Sequence, residues 1–388
     1  MDENIFLFIT NLFVYVLCAG LLMIIPQITR KSYLFGVKIP AKEAGCKEAV
    51  QMKKRYMAVC LFGAAFLLGF CIIQFLFWRE KTLLATLYLP LFIIPLYLAA
   101  FIPNWKKAVR LKEERGWTVS DIMYTETQST HSRGNLSSLP YVWYVLSTII
   151  VFATFLTVVM GYSNLPELIP LHFNSSFEAT RMAEKSWWTA LQIPLLNIGV
   201  LLLMFLVAIS IIKVKLQIDP EKPRLSFAQH NVYRKRMGHA IGFITLVISM
   251  IIALPTIIIV FPDAAIWTLI GGEAMIWLIL IFTFLSIVPV IVIYFITGQG
   301  GCKVKIKSED IDETNIDVSA SSKPGRGDDK YWLLGLIYHN PDDPAIVVES
   351  RFGSKIGFNL AHLPVKIGAG LLLAGLIALY VALTVTLL

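Results

Sequence analysis

The stretch Ala190-Leu-Gln-Ile-Pro-Leu-Leu-Asn-Ile-Gly-Val-Leu-Leu-Leu-Met-Phe-Leu-Val-Ala-Ile-Ser-Ile-Ile212, followed by Lys213-Val-Lys215, decides the fold class. It holds no charged side chain. Coiled as a helix, it is long enough to cross a hydrocarbon layer about 30 Å thick. Comparable runs recur along the chain, giving eight expected spans: Ile5–Ile25, Tyr56–Trp78, Leu83–Ile102, Tyr141–Tyr162, Ala190–Ile212, His239–Phe261, Glu273–Thr297 and Ile367–Leu388. They are continuous runs, whereas a membrane β-barrel requires short alternating segments. The 388 residues are 56% hydrophobic and 15% charged, with mean hydropathy +0.69. Soluble proteins carry about 25% charge. The expected fold class is therefore all-α integral membrane, with about eight helices and a small, mixed, hairpin-like cytoplasmic cap before the last. The run Ala264–Gly271 makes the seventh apolar segment too long for one upright helix. It is expected as an interfacial or re-entrant piece, broken from the span at Gly271-Gly272.

Charge orients the chain. Of the 34 Lys and Arg residues, 30 fall in the first, third, fifth and seventh loops: 8 in 26–55, 6 in 103–140, 7 in 213–238 and 9 in 298–366. Anionic lipid and the membrane potential both hold such loops on the cytoplasmic side. Both termini are then expected outside, in a plasma-membrane protein. The same rule accounts for the net charge of +8 without nucleic acid as a partner. Met1-Asp-Glu-Asn4 lacks the positive start of a secretory signal, so the first span is expected to be retained. Cys18, Cys46, Cys60, Cys71 and Cys302 form no Cys-x-x-Cys pair and read as small apolar residues rather than a disulfide framework.

Between spans, Phe35–Pro40 reads as extended chain. Ala41–Arg55 reads as a basic helix on the inner leaflet or a docking surface. Lys106–Arg115 reads as a charged helical extension, and Thr125–Ser138 as a polar flexible stretch. The loop Lys213–Gly238 carries stop-transfer charge, and His230 and His239 attract no role. Pro90 and Pro95 break the third span, as prolines do both in transporters and in membrane helices generally. In the last long loop, Cys302–Lys307 alternates like a short strand and Ser308–Asp329 reads as a linker. Asn340-Pro-Asp-Asp-Pro344 is turn chemistry, with Asp342 and Asp343 read as turn caps before cation ligands. Ala345–Glu349 and the segment from Arg351 to Asn359 read as a strand and its return. Gly370, Ala374, Ala378 and Ala382 put small residues on one face of the last span. That face is expected to pack within the molecule or, alternatively, to form a dimer seam.

One outer loop stands apart: Leu165-Pro-Glu-Leu-Ile-Pro-Leu-His-Phe-Asn174, running on to Lys185-Ser-Trp-Trp188. Its candidate recognition residues are Pro166, Glu167, Pro170, His172, Phe173, Asn174 and Lys185. His172 lacks the spacing partners of a metal site and is expected to hydrogen-bond within the loop. Trp187 and Trp188 sit where aromatic residues line the bilayer boundary. Within the spans Asn11, Gln74 and Asn197 are uncharged, and Glu273 lies at the outer end. With no catalytic or nucleotide-binding motif, the chain is expected to be neither an enzyme nor an ATP-driven pump, with no cofactor and no metal.

Leu165-Pro-x-x-Ile-Pro-x-His-Phe-Asn174 resembles the signature of an uncharacterised bacterial membrane domain that also fronts SdpI-type toxin-immunity proteins. Phe177, Ala179 and Thr180 stand where that pattern has Gly, Pro and Asp. Tyr331-Trp-x-x-Gly-x-x-Tyr-x-Asn-Pro-Asp-Asp-Pro344 resembles a second module found at the end of such proteins, and Phe35–Pro40 fits the same chains. The resulting divisions are 1–140, 141–213 with the signature, 214–300, 301–366 with the aromatic module, and 367–388. The resemblance implies immunity to, or sensing of, a membrane-active peptide or envelope stress. Its partners would be membrane lipids, an extracellular peptide and a cytoplasmic regulator. A permease for a small or lipophilic solute is the alternative.

Overall fold

The computed structural model describes residues 3–118, 123–126, 139–173, 179–213, 222–262, 265–307, 318–321, 326–352 and 356–387. The long helices are α1 (Glu3–Ile28), α2 (Lys47–Phe77), α3 (Thr82–Glu114), α4 (Tyr141–Gly161), α5 (Trp187–Lys213), α6 (Pro223–Val260), α7 (Ala265–Thr297) and α8 (Leu363–Leu387). Among the described residues, seven helices are long and apolar enough to cross a membrane: α1, α2 and α4 through α8. The third expected span is helical throughout, as part of α3, but α3 is not one of the seven. It continues through Lys106–Glu114, so the charged extension is present.

Three local expectations are corrected. The piece up to Gly271 is not a separate segment: α7 runs from Ala265 through Gly271-Gly272 without a break. Without water to take up freed backbone groups, an apolar helix keeps its hydrogen bonds across glycines that would end it in solution. The basic residues of Ala41–Arg55 do not form their own helix. A short 3-10 turn, Ala41–Gly45, precedes α2, whose first turns carry Lys47, Lys53, Lys54 and Arg55. Helix propagation is cooperative and nothing breaks it before Phe77. Cys302–Lys307 is not a strand but a turn and irregular chain after α7. Of Thr125–Ser138, Thr125 and Glu126 lie in β3 (Met123–Glu126), paired with β6 (Val318–Ser321); the remainder falls outside the described residues.

The chain divides into two compact units, one of residues 1–3, 132–213 and 232–296, the other of the remainder. In the first, α4 and α5 pair, and Tyr144 meets Phe205 edge-on at 5.2 Å. A Cβ on Gly242 of α6 would stand 2.7 Å from Trp143 of α4, so the missing side chain sets that close approach. Asn197 of α5 donates from Nδ2 to the Ser249 carbonyl of α6 at 3.0 Å.

In the second unit, α2 and α3 form an antiparallel pair. The Gln74 amide closes its turn on the Lys81 carbonyl at 2.6 Å, and Arg115 meets Glu48 at 2.7 Å at the other end. Between α1 and α2 lies the hairpin of β1 (Tyr33–Leu34) and β2 (Val37–Lys38), turned by Phe35 and Gly36 with φ of 47° and 80°. Two successive positive φ values are the mark of a tight turn that follows the strand twist. Leu34, Phe35, Val37 and Ile39 fill a core with Tyr56, Phe101 and Phe352. A second hairpin, β7 (Trp332–Leu333) with β8 (Ile337–Tyr338), turns through Leu334 and Gly335, again with positive φ of 53° and 70°. β9 (Val347–Glu349) and β10 (Ile356–Phe358) pair beside it, linked by a bridge from Tyr338 to Asn359. The expected strand and its return are thus present.

The two glycine turns touch. A Cβ on Gly36 would stand 2.2 Å from the Gly335 carbonyl oxygen, and one on Gly335 3.0 Å from the Phe35 carbonyl oxygen. Leu34-Phe-Gly-Val37 and Leu333-Leu-Gly-Leu336 are thus two copies of one device laid turn against turn.

The small face of α8 does not pack within the molecule: Gly370, Ala374, Ala378 and Ala382 are all exposed. Exposure of all four positions leaves the alternative of a seam between copies untouched.

Gly36→Ala combines strain at positive φ with a backbone clash. It should lower stability by about 2–3 kcal/mol. Thermal unfolding of the purified protein tests this against Gly69→Ala, whose Cβ would meet nothing within 4 Å.

Candidate functional site

The loop between α4 and α5 folds as an antiparallel hairpin, β4 (Leu168–Phe173) with β5 (Ala179–Glu184). Leu168 lies opposite Glu184 and Pro170 opposite Met182, and the register shifts on either side of the His172–Arg181 pair. Strand alternation gives the hairpin two faces. Ile169 points inward and is buried against Val158, Leu165 and Ala190. Leu168 and Met182 point the other way, 53% and 50% exposed.

Lys185 fixes the base. Its Nζ donates to the carbonyls of Ser163 at 3.0 Å and Leu165 at 2.8 Å, and lies 5.3 Å from the Tyr162 ring centre. Its own N–H donates to the Glu167 carbonyl at 2.8 Å. Tyr162 stacks flat on Trp187 at 3.8 Å. Ser186 and Thr189 exchange hydrogen bonds across the first turn of α5, a reciprocal cap.

Of the candidate recognition residues, Lys185 is therefore a clamp. Pro166 and Glu167 are exposed and Pro170 is half-buried. His172 and Phe173 lie in β4, and Asn174 lies outside the described residues. Trp187 and Trp188 are exposed.

A second constellation escaped the sequence reading. Arg30 at the end of α1, His230 near the start of α6 and Glu349 of β9 meet in the second unit. His230 Nδ1 lies 2.6 Å from the Ser226 carbonyl and so carries the proton that it donates there. Its Nε2 lone pair then accepts from Arg30 Nη2 at 2.5 Å, which describes a neutral imidazole. Glu349, with its side chain 1% exposed, forms an ion pair with Arg30 and lies 3.4 Å from His230 Nε2. The Gln299 side-chain oxygen accepts from the Arg30 N–H at 3.3 Å, and its amide donates to the Ser350 carbonyl at 2.8 Å. Gly300 is required beside them: a Cβ there would stand 2.2 Å from Arg30 Nη2, at a φ of 61°.

Two residues on, Arg351 has no exposed side-chain surface. It donates to the Gly36 carbonyl at 3.1 Å and the Arg326 carbonyl at 2.9 Å, and pairs with Asp329. Its guanidinium lies 5.4 Å from the Tyr33 ring centre and 4.8 Å from that of Trp332, one ring from each glycine hairpin. Asp329 also accepts from the Lys38 N–H at 3.2 Å and from Lys112 Nζ at 2.6 Å. The expected turn caps divide. Asp343 takes both arms of Arg326, at 2.6 and 3.1 Å, and caps Ala345 N–H at 3.0 Å, while Asp342 donates its N–H to Asn340.

The signals lay in Gly298-Gln-Gly-Gly301 directly after a span, and in Glu349-Ser-Arg351 inside an otherwise apolar module. His230 offered none. The arrangement neutralises charge and joins loops. Among the described residues, no group of three or more His, Cys, Asp or Glu side chains could hold a metal ion.

Two outcomes follow. Lys185→Met should speed hydrogen exchange in 165–184 at least about tenfold, the cost of losing a charge-assisted bond, while 326–352 is unchanged. Burial pushes the Asp343 carboxyl up, but hydrogen bonds from Arg326, Ala345 and Tyr338 and the Arg326 charge outweigh it and hold the group below its ordinary value. Its contribution is therefore present above the unfolded pKa of about 3.9 and is lost as pH falls through the folded one. Acid unfolding of the module should shift to higher pH in Arg326→Gln, read by Trp fluorescence or proteolysis.

The model of a domain of unknown function, DUF1648, matches residues 149–198, from α4 through the β4–β5 hairpin into α5. No curated protein and no solved structure matches the chain.

Proposed function

We propose that this is a non-enzymatic, eight-span plasma-membrane protein that presents the β4–β5 hairpin outside the cell to recognise a membrane-active peptide or a related envelope signal. The observation that carries the reading is the hairpin's construction. It is pinned at its base by Lys185 and packed on one face through Ile169, and it leaves Leu168 and Met182 open on the other. A rigid strand pair with an open apolar face costs a partner little ordering on binding. The resemblance to toxin-immunity proteins supports the same reading.

The buried network supports the threading. Arg30 and Lys38 before α2, Lys112 at the end of α3, His230 at the start of α6, and Gln299 and Glu349 after α7 lie within one set of contacts. Each excursion between them must leave and return to the same side. If α2 crosses the bilayer, its antiparallel partner α3 recrosses it, which makes eight. The basic loops then face the cytoplasm, with both termini and the hairpin outside. A cytoplasmic regulator would meet the exposed basic residues of α3, Lys106, Lys107 and Arg110.

Transport of a small solute is a second reading. Asn197 Oδ1 of α5 and Ser249 Oγ of α6 are buried with no hydrogen-bond partner among the described residues, and such atoms can mark a path for a polar solute.

A strain lacking the gene should survive a panel of cationic membrane-active peptides less well than its parent. The wild-type gene should restore survival, and a Leu168→Asp, Met182→Asp gene should not. An impermeant thiol reagent should label Leu168→Cys in intact cells. Equal survival of the deletion strain sinks the recognition reading; absence of labelling sinks the threading.

A further inference from the structure

The β7–β10 module carries an apolar face that neither hairpin turn covers. Alternation along β7 and β8 buries Trp332 and Tyr338 and leaves Leu333 and Ile337, which are directly paired, exposed on the opposite face. The bridge between buried Tyr338 and buried Asn359 brings β10 alongside, so exposed Phe358 extends the same face next to Ile337. Leu334, at the tip of the turn, is exposed as well.

Two independent markers set the depth of this face. Phe358 precedes Leu363, the first residue of the α8 span, by five positions, at most about 18 Å of chain. At the other end, the Gly335 turn lies against Trp105, with its Cβ position 3.0 Å from Trp105 Cδ1. Trp105 follows the apolar part of α3, where aromatic residues mark the edge of the hydrocarbon. Lys366, exposed one turn into α8, supplies the cation that flanks such an edge.

We infer that the face formed by Leu333, Leu334, Ile337 and Phe358 lies in the phospholipid interface of the leaflet that α8 enters, so that the module is a monotopic membrane anchor built from strands. The occupant is the lipid surface. The face lies five residues from the exposed apolar surface of α8, and Trp105 and Lys366, side chains of the kind that border a hydrocarbon layer, flank it. The inference does not depend on what the β4–β5 hairpin recognises.

The test uses the full chain in vesicles of phosphatidylethanolamine and phosphatidylglycerol. Photoreactive p-benzoylphenylalanine replaces Leu333 or Ile337, and Asp342, in the exposed loop of the same module, is the control position. After illumination, mass spectrometry should find phospholipid adducts at Leu333 and Ile337 and not at Asp342. Adducts to a second copy of the chain, or lipid adducts no more frequent than at Asp342, would overturn the inference. Should one replacement prevent folding, the other and Phe358 report the same face.

Discussion

A guanidinium withdrawn from water is tolerable when its charge is matched and its N–H groups are engaged. Arg351 matches its charge with the Asp329 carboxylate and engages both terminal nitrogens with groups from distant parts of the chain, the Gly36 and Arg326 carbonyls; its Nε has no hydrogen-bond partner among the described residues. Arg30 does the same with His230, Gln299 and Glu349. Pairs of this kind add little net stability over an apolar core, but removing one partner strands the other. Their effect is to make one arrangement of the polar loops much better than its neighbours. The hydrophobic effect cannot supply that selectivity between greasy helices, because lipid tails are as apolar as the side chains.

The turns show how closely backbone geometry is bound to this chemistry. Gly36 and Gly335 let two hairpins touch main chain to main chain, and that contact holds Tyr33 and Trp332 near enough for one guanidinium to lie against both rings. Gly300 repeats the principle beside Arg30, where absence of a side chain makes room for the cation. The β4–β5 hairpin follows a different rule. It is stabilised at its root by one lysine and a stacked aromatic pair and seated on α4 and α5 through Ile169, while Leu168 and Met182 stay exposed. One polar assembly is closed on itself and the other is held open.

What could be read from residues alone follows from the range of the forces involved. Apolar run length and cation placement are summed locally, so helices and basic loops were legible, as were the extended loop after α4, the helical extension of α3 and the turn at Asn340–Pro344. The piece ending at Gly271 was misread because glycine was judged by its behaviour in water. Cys302–Lys307 was misread because alternation over six residues needs a partner strand to become a strand. The small face of α8 was expected against another helix, yet packing faces cannot be told from lipid faces when both sides are apolar. The network was invisible for a related reason: Arg30 and Glu349 are 319 positions apart, and nothing in the sequence of either announces the other. Lys185 was picked out by its place in a motif, whereas its role as a clamp emerges from where its ammonium reaches.

That separation bears on how the molecule is made. Arg30 leaves the ribosome long before Glu349 and Arg351, which appear only after α1 through α7 have been synthesised. Until then, the early arginine and the histidine of α6 lack the carboxylate that completes their cluster. Membrane insertion can proceed helix by helix, but closure of the polar loops waits for Glu349 and Arg351. A polypeptide interrupted before Glu349 would leave Arg30 without its carboxylate and the seat between Tyr33 and Trp332 without its guanidinium.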